Sequence, residues 1–498
     1  MNKFVAGLII FFAGACTMII EIAGSRMLGP YFGTSVFVWS SLIGVIMAGL
    51  SLGYRIGGVI SVSRSDMMVF GRIILLSGIF IFALVAGHDY LLRRVIKYVP
   101  DFRLQTLTGT LLLFGPAGVM LGMILPYGAK LAMTNILTSG NTTGTVYAMS
   151  TAGSIIGTFV SGYFLLPGFG FSNVLFAGSL SLILIACSLF IFFRRRISIV
   201  VCIPAIAAVS LFWVRTATKS LDYLDLDTQY NRVIVYNSTD TSTGRPVKIL
   251  KVNDEKSSAM FTDSDNDLVF EVLKYYRLVE HFNPGFSKTL MIGGSGYAFP
   301  KDYLRRYPGA SIDVIEIDPG LTRIAKQHFN LTDNPRLRIY HEDGRTFLNR
   351  CTTRYDAVFM DAYKSILTIP YQLTTIEAVK RISDVLNDDG VVFANIISTL
   401  DNKSSLFLRA EMATYKRVFP TVMLFAVQHP EADPADETVF QNFILVGLKS
   451  RDQKPMTSDN PELGKYLSHL YKGVLKEDVD ILTDECAPVE FYAAKALR

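Results

Sequence analysis

Three acidic residues follow apolar stretches in the C-terminal half of the chain, and a glycine turn precedes them. The acids are Glu316, Asp343 and Asp361, and the turn is the run Gly-Gly-Ser-Gly at residues 293–296. A carboxylate at the tip of a buried strand can accept hydrogen bonds from both ribose hydroxyls, and a glycine turn lets the backbone approach a ligand closely. We therefore interpret this set as a nucleoside site, with Glu316 on the ribose.

The acids need a sheet that brings strand ends together. Apolar runs beginning at Thr289, Ile312, Leu337 and Tyr355 read as strands that alternate with helices, and further strands are predicted at residues 391–397, 422–427 and 443–447. In such a sheet ligands bind at the carboxyl ends of the strands. The pattern predicts an α/β, Rossmann-like domain. Residues 230–236 and 247–252 alternate like two small strands, which predicts a small β-rich subdomain before it.

The charge of the chain is divided unevenly. Residues 1–214 contain 13 basic and 4 acidic residues, which leaves 35 basic and 39 acidic residues for the remainder. The positive excess therefore belongs to the apolar half, and the composition argues against nucleic acid as a partner. The five cysteines show no C-x-x-C spacing, and the histidines show no metal spacing, so we expect no metal and no disulfide framework.

The N-terminal half reads as membrane helices. Apolar runs of spanning length occur at residues 4–23, 36–54, 69–86, 107–125, 147–166, 174–193 and 197–214. We therefore predict an all-α membrane domain of about seven spans. Positive charges fall on both sides of such a bundle and do not decide its orientation. Because nucleoside ligands are cytosolic, we expect an integral, multi-pass protein of the plasma membrane with its C-terminal half in the cytoplasm.

The predicted organisation has four parts. These are a transmembrane helical domain at residues 1–214, a linker at 215–227, a β-rich subdomain at 228–265 and a Rossmann-like catalytic domain at 266–498.

These motifs together resemble a known family. The run from Glu316 to Asp318, with Asp343-Gly344 and Asp361, resembles the pattern of spermidine synthases, which transfer the aminopropyl group of decarboxylated S-adenosylmethionine to an amine. The N-terminal half is similar to a bacterial group that fuses a transporter-like membrane domain to such a domain. The residues that carry this second resemblance are Glu21-Ile-Ala-Gly-Ser-Arg26, Pro30-Tyr-Phe-Gly33, Trp39, Leu52-Gly-Tyr54 and Gly57-Gly58.

The resemblance implies a role for each matched residue. It places Glu316 on the ribose hydroxyls, Asp343 near the adenine amino group and Asp361 beside the reacting carbon, although the same acids could simply cap the helices that follow. The nucleoside-binding residues that we predict are Tyr230, Asn231, Gly293, Gly294, Ser295, Gly296, Glu316, Ile317, Asp343 and Gly344. The catalytic residues that we predict are Asp361, which the resemblance implies, and Tyr363 and Lys364, which the sequence itself suggests.

Two positions depart from the family pattern. Gly296 stands where a spermidine synthase has an aspartate for the aminopropyl ammonium, and Lys364 stands where it has an aspartate for the acceptor amine. Both changes remove charge-assisted contacts to a polyamine. Lys364 would instead suit the carboxylate of undecarboxylated S-adenosylmethionine. We therefore slightly favour an intramolecular lyase, in which that carboxylate displaces the sulfonium to give methylthioadenosine and homoserine lactone.

Other functions stay open at this point. Aminopropyl transfer to a polyamine breaks the same sulfur–carbon bond, and a methyltransferase would share the fold. A transporter with a nucleoside-sensing domain is the candidate from another class. The expected partners are the nucleoside substrate and the lipid bilayer, with a polyamine acceptor and a homo-oligomer as further options. No cofactor beyond S-adenosylmethionine or its decarboxylated form is expected.

Overall fold

The computed structural model describes residues 3–33, 36–133, 139–192, 223–253, 255–264, 267–362, 369–401, 403–428, 439–451 and 454–496. The chain divides into two compact units. The N-terminal unit comprises Met1–Leu221 and Leu226–Gln229, and the C-terminal unit comprises Asp222–Asp225 and Tyr230–Arg498. The predicted end of the membrane domain, at residue 214, lies outside the described residues, so the predicted domain limits stay predictions.

Long apolar helices build the described part of the N-terminal unit. They are α1 (Lys3–Phe32), α2 (Val36–Ser63), α3 (Met67–Tyr98), α4 (Phe102–Ala132), α5 (Ser139–Val160) and α6 (Leu166–Phe192), with a π-helical turn at Ser161–Leu165 between the last two. Within the described residues, five stretches are long and apolar enough to cross a membrane. Four of them measure 28 to 32 residues, against the roughly 20 that a bilayer requires.

Five candidate spans lie within the described residues, and the predicted number of seven is not confirmed. The first four predicted spans fall within α1 to α4, one in each helix. The next two both lie in the single 54-residue stretch Ser139–Phe192, which Gly170 interrupts with a φ of 72° and a ψ of 165°. Glycine adopts this backbone conformation at little cost, so the chain can bend there while the flanking residues stay helical. The seventh predicted span, residues 197–214, lies outside the described residues.

Helices α1 and α5 approach each other through glycine. A Cβ atom on Gly153 would lie 2.0 Å from the carbonyl oxygen of Phe11, and one on Gly157 would lie 2.6 Å from that of Ala15. No larger residue fits at either position without moving the helices apart. Small residues at such spacing are how apolar helices pack when lipid offers no hydrophobic driving force.

A seven-stranded sheet forms the centre of the C-terminal unit. Its strands are β5 (Lys288–Ile292), β6 (Ser311–Ile315), β7 (Leu337–Tyr340), β8 (Tyr355–Met360), β9 (Leu386–Ser398), β10 (Thr421–Ala426) and β11 (Gln441–Leu448), in the order β10-β11-β9-β8-β5-β6-β7. The strands from β7 to β9 are parallel, whereas β11 pairs antiparallel with both β9 and β10. The predicted α/β Rossmann-like fold is confirmed. Its switch point, where strand order reverses, lies between β5 and β8, and ligands bind at such points.

Helices cover both faces of this sheet. Within the described residues, the α-helices of the C-terminal unit are Glu271–Lys274, Val279–Phe282, Ala298–Arg306, Pro319–His328, Gly344–Arg350, Ile376–Val385, Leu406–Lys416, Pro461–Ser468 and Val489–Ala496. They contribute to two separate apolar cores. Because both faces are covered, the central strand β9 is buried without interruption over residues 391–396.

The region before this sheet differs from the prediction in two ways. The small sheet has four strands in the order β1-β2-β3-β4, namely β1 (Tyr223–Asp227), β2 (Arg232–Thr239), β3 (Pro246–Val252) and β4 (Glu255–Phe261). Only β2 and β3 were expected. The sequence pattern also predicts a helix over residues 267–282, whereas the observed helix starts at Glu271 and tightens to a 3₁₀ turn at Tyr275–Leu278. All four residues of that turn are buried, which one face of a regular helix cannot provide.

Candidate active site

The glycine turn leaves β5 in a conformation that requires glycine. Gly293 has a φ of 100°, and a Cβ atom there would lie 2.1 Å from the carbonyl oxygen of Asp361. Ser295 and Tyr297 also have positive φ, at 45° and 56°. Such strained non-glycine residues cluster at functional sites, where the surrounding structure holds them in place. The turn thus brings the ends of β5 and β8 into direct contact.

Glu316 lies at the end of β6 and holds this turn. Its Oε2 atom accepts hydrogen bonds from the backbone N–H groups of Gly294, at 3.0 Å, and Ser295, at 2.8 Å. Its Oε1 atom accepts from the N–H of Asp318 at 2.9 Å. Burial raises the pKa of the Glu316 carboxyl, since only 5% of the residue is exposed, and the three N–H groups partly oppose that rise. The carboxylate is therefore fixed in direction before any ligand arrives.

Asn231 connects the small sheet to the acidic end of β6. Its Nδ2 donates to Asp318 Oδ2 at 2.8 Å, and its Oδ1 accepts from Asn253 Nδ2 at 2.9 Å. Asp318 is fully buried and also caps the helix Pro319–His328 by accepting from the N–H of Gly320. Asp318 was not among the predicted site residues. Its position two residues after Glu316 was a signal that could have found it.

Asp343 caps a helix and also lines a cavity. Its Oδ1 accepts from the N–H of Thr346 at 2.9 Å, at the start of the helix Gly344–Arg350. This is the capping role that the sequence left open for such acids. The side chain nevertheless belongs to the wall of a cavity of about 110 Å³, which Glu316 and Gly344 also line.

A second, larger cavity meets the first at Asp361. Its volume is about 760 Å³, and its walls come from β3, β4, the glycine turn, β9 and β11. The two cavities share five lining residues, namely Val252, Ser257, Gly293, Ser295 and Asp361. Asp361 follows β8 directly and lines both cavities. A group bound in one cavity can therefore react with a group bound in the other beside this carboxylate.

Asp361 is a half-buried acid with a perturbed pKa. Burial raises the pKa of its carboxyl to about 6, and a hydrogen bond from Asn395 Nδ2 to its Oδ1, at 2.9 Å, works in the opposite direction. Asn395 lies on β9 and also lines the larger cavity. The sequence analysis did not single it out, although a lone amide inside the apolar run of β9 was a usable signal.

The predicted site residues are distributed unevenly over the two cavities. The smaller cavity is lined by Asn231, Gly293, Ser295, Glu316, Ile317, Asp343, Gly344 and Asp361, while Gly294 lines the larger one. Tyr230 and Gly296 are described by the structure but line neither cavity. Tyr363 and Lys364 lie outside the described residues. The binding and catalytic roles given to all of these residues stay predictions.

The space beside Gly296 is already occupied. A Cβ atom on Gly296 would lie 2.5 Å from Ser258 Oγ and 2.7 Å from Ser258 Cβ, on the neighbouring strand β4. An aspartate, which the spermidine synthase pattern has at this position, would need that strand to move. The difference from the spermidine synthase pattern at Gly296 therefore also involves the neighbouring strand β4.

We expect Gly296→Asp to destabilise the C-terminal unit. The added side chain overlaps Ser258, and overpacking of this kind costs about 1–3 kcal/mol. Amide hydrogen exchange of β4 and β5 in the detergent-purified full chain measures the loss. Adding Ser258→Gly removes the overlapping atoms and should restore much of the protection. If the double variant is no better protected than the single one, the contact with Ser258 is not the cause.

A second buried acid lies behind Asn395. Glu411, on the helix Leu406–Lys416, lines a small cavity together with Asn395, Thr374 and Tyr415. It is 3% exposed, and among the described residues its Oε1 has no hydrogen-bond partner. Burial therefore raises its pKa well above the usual range. Glu411 was not predicted, and its place in an amphipathic helix gives no sequence signal.

Glu411 should make the stability of the C-terminal unit depend on pH. The pKa of Glu411 is higher in the folded than in the unfolded protein, so its contribution to the free energy of unfolding is fully present below about pH 4.5. This contribution is lost as the pH rises towards the folded pKa, by up to about 1.4 kcal/mol per pH unit. We expect Glu411→Gln to remove this slope and to be the more stable protein at pH 8. Hydrogen exchange of β9 at several pH values measures it. Glu477→Gln, at an exposed carboxylate paired with Lys416, is the control and should keep the slope.

Within the described residues, no three His, Cys, Asp or Glu side chains are grouped so that they could hold a metal ion.

Comparisons with known proteins identify the C-terminal region. Residues 268–436 match the model of the spermine/spermidine synthase domain. A polyamine aminopropyltransferase of Vibrio vulnificus is 32% identical over 141 residues, which cover 28% of this chain and 45% of that protein. Polyamine aminopropyltransferase 1 of Streptomyces coelicolor is 24% identical over 429 residues, which cover 78% of this chain and 75% of that protein. The C-terminal region is therefore similar to a spermidine synthase domain over residues 268–436.

Among solved structures, a probable spermidine synthase from Corynebacterium glutamicum has a TM-score of 0.41 and 19% sequence identity. The match covers 51% of this chain and 89% of that one.

Proposed function

We propose that the C-terminal unit binds a sulfonium nucleoside of the S-adenosylmethionine type and transfers its three-carbon group from sulfur to an amine, releasing methylthioadenosine. The observation that carries this proposal is the position of Asp361, in the wall of both the smaller and the larger cavity. The domain match and the aminopropyltransferase relatives support the same reaction class.

In this proposal the nucleoside occupies the smaller cavity. Glu316 accepts hydrogen bonds from the ribose hydroxyls, and Asp343 accepts one from the adenine amino group. The glycine turn lies against the sulfonium end, since Gly293 and Ser295 line both cavities. The reacting carbon then lies beside Asp361, at the entrance to the larger cavity.

Asp361 can act both on the charge and on the proton of the reaction. The amine nitrogen attacks the carbon bonded to sulfur, the carbon–sulfur bond breaks, and its electron pair stays on sulfur as the neutral thioether. The acceptor is an ammonium ion in neutral solution, so its nitrogen must lose one proton to Asp361 before it can attack, and it carries one positive charge once the new carbon–nitrogen bond has formed. A carboxyl with a pKa of about 6 is mostly ionised at neutral pH and is a stronger base than an ordinary aspartate.

The larger cavity favours transfer over the intramolecular lyase. A lyase uses one substrate, whereas about 760 Å³ of space beyond Asp361 leaves room for a second molecule. The lyase stays the second candidate, because Gly296 provides no carboxylate for an aminopropyl ammonium and a side chain there would overlap Ser258.

The charge and polarity of the larger cavity's wall indicate which kind of amine acceptor would fit it. Its charged residues besides Asp361 are Lys251, Glu255, Lys256 and Glu271, which balance one another. Glu271 is also paired with Lys274 at 3.0 Å and Lys465 at 3.3 Å. The apolar residues in the wall are Val252, Val269, Phe270, Val272, Leu273, Met291, Ala298, Phe299, Ile397 and Phe440. We therefore propose an acceptor with a single amine and an apolar body in preference to a polyamine.

Product analysis separates the candidate functions. The full chain, purified in detergent, is given S-adenosylmethionine or its decarboxylated form, each alone, with putrescine, and with hexylamine or phenethylamine. Methylthioadenosine that appears only with the decarboxylated form and a monoamine supports the proposal. Methylthioadenosine from S-adenosylmethionine alone identifies the lyase, and S-adenosylhomocysteine identifies a methyltransferase. Nucleoside binding without any product favours a sensor.

The cellular placement is part of the same proposal. The long apolar helices of the N-terminal unit anchor the protein in the plasma membrane, and the nucleoside-binding unit faces the cytoplasm, where its substrate is made. Proteolysis of sealed vesicles of known orientation tests the side on which the C-terminal unit lies.

A further inference from the structure

Three amide side chains run in a row to Asp361. Asn395 Nδ2 donates to Asp361 Oδ1 at 2.9 Å, and Asn442 Nδ2 donates to Asn395 Oδ1 at 3.0 Å. Gln428 Nε2 donates in turn to Asn442 Oδ1 at 3.2 Å. Asn395 lies on β9, Asn442 lies on β11, and Gln428 follows β10. All three line the larger cavity, from its exposed mouth at Gln428 to its inner end at the half-buried Asp361.

At each end of this row lies a group that can only accept or only donate a hydrogen bond, and these two groups fix the orientation of every amide. At the inner end, an ionised Asp361 only accepts, so Asn395 must present its NH₂ group. At the open end, the backbone N–H of Asn442 donates to Gln428 Oε1 at 3.0 Å. Because a backbone N–H only donates, Gln428 must present its oxygen there and its NH₂ group to Asn442. The two ends require the same orientation of every amide between them.

The row of amides gives the two carboxylate oxygens of Asp361 different hydrogen-bonding surroundings. Oδ1 accepts the hydrogen bond from the NH₂ group of Asn395. If the Asn395 amide were turned so that its oxygen faced Asp361, its NH₂ group would face the NH₂ group of Asn442. A proton taken up by the carboxyl therefore belongs on Oδ2. Hydrogen bonds that point the same way polarise one another, so each amide strengthens the next.

We propose that Asn395, Asn442 and Gln428 are positioning residues that reserve Oδ2 of Asp361 for the reacting proton and hold the carboxylate in its ionised form. This inference rests on the proposed function for its catalytic meaning, but the row itself can be tested without turnover. It predicts that cutting the row raises the pH at which Asp361 titrates, by an amount that decreases with distance from Asp361.

Other ionisable groups face the same spaces and must be separated from Asp361 in any titration. In the smaller cavity these are Glu316, Glu342 and Asp343, in the larger cavity they are Tyr236, Lys251, Glu255, Lys256 and Glu271, and behind Asn395 they are Glu411 and Tyr415. An infrared difference spectrum between the protein and its Asp361→Asn variant isolates the carboxyl band of Asp361 from all of them.

The experiment follows that band against pH in the full chain. Asn395→Leu removes a hydrogen bond to a charged group, worth about 1.5–3 kcal/mol, and should raise the midpoint by about 1–2 pH units. Asn442→Leu should raise it by about 0.2–0.5 unit, the share expected of cooperative polarisation. Gln428→Leu, at an exposed position that should not affect folding, should give a smaller rise.

A matched control lies at the other end of the same two strands. Asn387 on β9 donates to Asp356 on β8 at 2.7 Å, as Asn395 donates to Asp361. Asn387→Leu should leave the Asp361 midpoint unchanged. If it shifts the midpoint as much as Asn442→Leu does, or if Asn442→Leu has no effect, the row does not act as proposed. The infrared band of Asp361 can be followed without any substrate. A protein that forms no methylthioadenosine would therefore refute the proposed function, and the same titration would still test the role of the three amides.

Discussion

Replacing Asp361 by asparagine should lower kcat for methylthioadenosine formation by about 10²- to 10⁴-fold, the range that a positioned general base supplies. The nucleoside contacts in the smaller cavity remain, so the Kd for methylthioadenosine, which carries no sulfonium charge, should change little. Rapid-quench kinetics and calorimetry of the purified full chain measure the two quantities separately.

The pH profile gives the sharper test of this prediction. A base works when it is ionised, so kcat of the unchanged protein should fall as the pH drops through about 6, the pKa to which burial raises Asp361. Asp361→Asn should lose this acidic limb. Asp356→Asn, at the start of the same strand, removes a carboxylate that accepts from the N–H groups of Ser287 and Lys288. The Asp356→Asn variant should keep the acidic limb of the pH profile even where it lowers stability. If Asp361→Asn also keeps this limb, another group is the base.

The second large effect is expected at Glu316. Glu316→Gln keeps the size of the side chain but removes its charge, which weakens every bond that it accepts. Losing about 1.5–3 kcal/mol per charge-assisted bond to two ribose hydroxyls should weaken nucleoside binding by about 10²- to 10⁴-fold. Calorimetry with methylthioadenosine measures the loss.

A deoxy analogue decides whether that loss comes from the ribose. Methylthioadenosine without its 2′ and 3′ hydroxyls should bind the unchanged protein much more weakly than the natural nucleoside, whereas Glu316→Gln should bind the two almost equally. Glu342→Gln is the matched control, because Glu342 lines the same cavity but is paired with Arg350. If the deoxy analogue loses the same affinity in both proteins, Glu316 only holds the glycine turn through Gly294 and Ser295.

Much of this architecture could be predicted because it depends on local patterns. Buried parallel strands leave continuous apolar runs, and the acid that follows each run lies at the edge where strands end. The sheet therefore brings Glu316, Asp343 and Asp361 to its carboxyl edge, as their spacing indicated. The predicted count of seven spans is not confirmed, because two predicted spans fall in one stretch that Gly170 interrupts and the seventh lies outside the described residues.

The remainder of the site depends on partners that are distant in the sequence. Asn395 and Asn442 read as ordinary polar interruptions of β9 and β11, and they become a pair only because the strands are adjacent. The burial of Glu411 depends in the same way on the elements that pack over its helix. The conflict between Gly296 and Ser258 arises from the approach of β4, a strand that the sequence pattern did not reveal.

The row of amides depends on one register of an antiparallel pair. In the observed pairing Asn395 lies opposite Ile444, two residues from Asn442, so both amides are on the same face of the sheet. Side chains alternate between faces, and a slip of one residue would turn either amide to the opposite side. Insertion or deletion of a single codon within β9 or β11 would thus leave a strand that still pairs but would leave Asp361 without the amides that support it. If the proposed function holds, such a length change is a short evolutionary route from an enzyme to a folded relative that only binds the nucleoside.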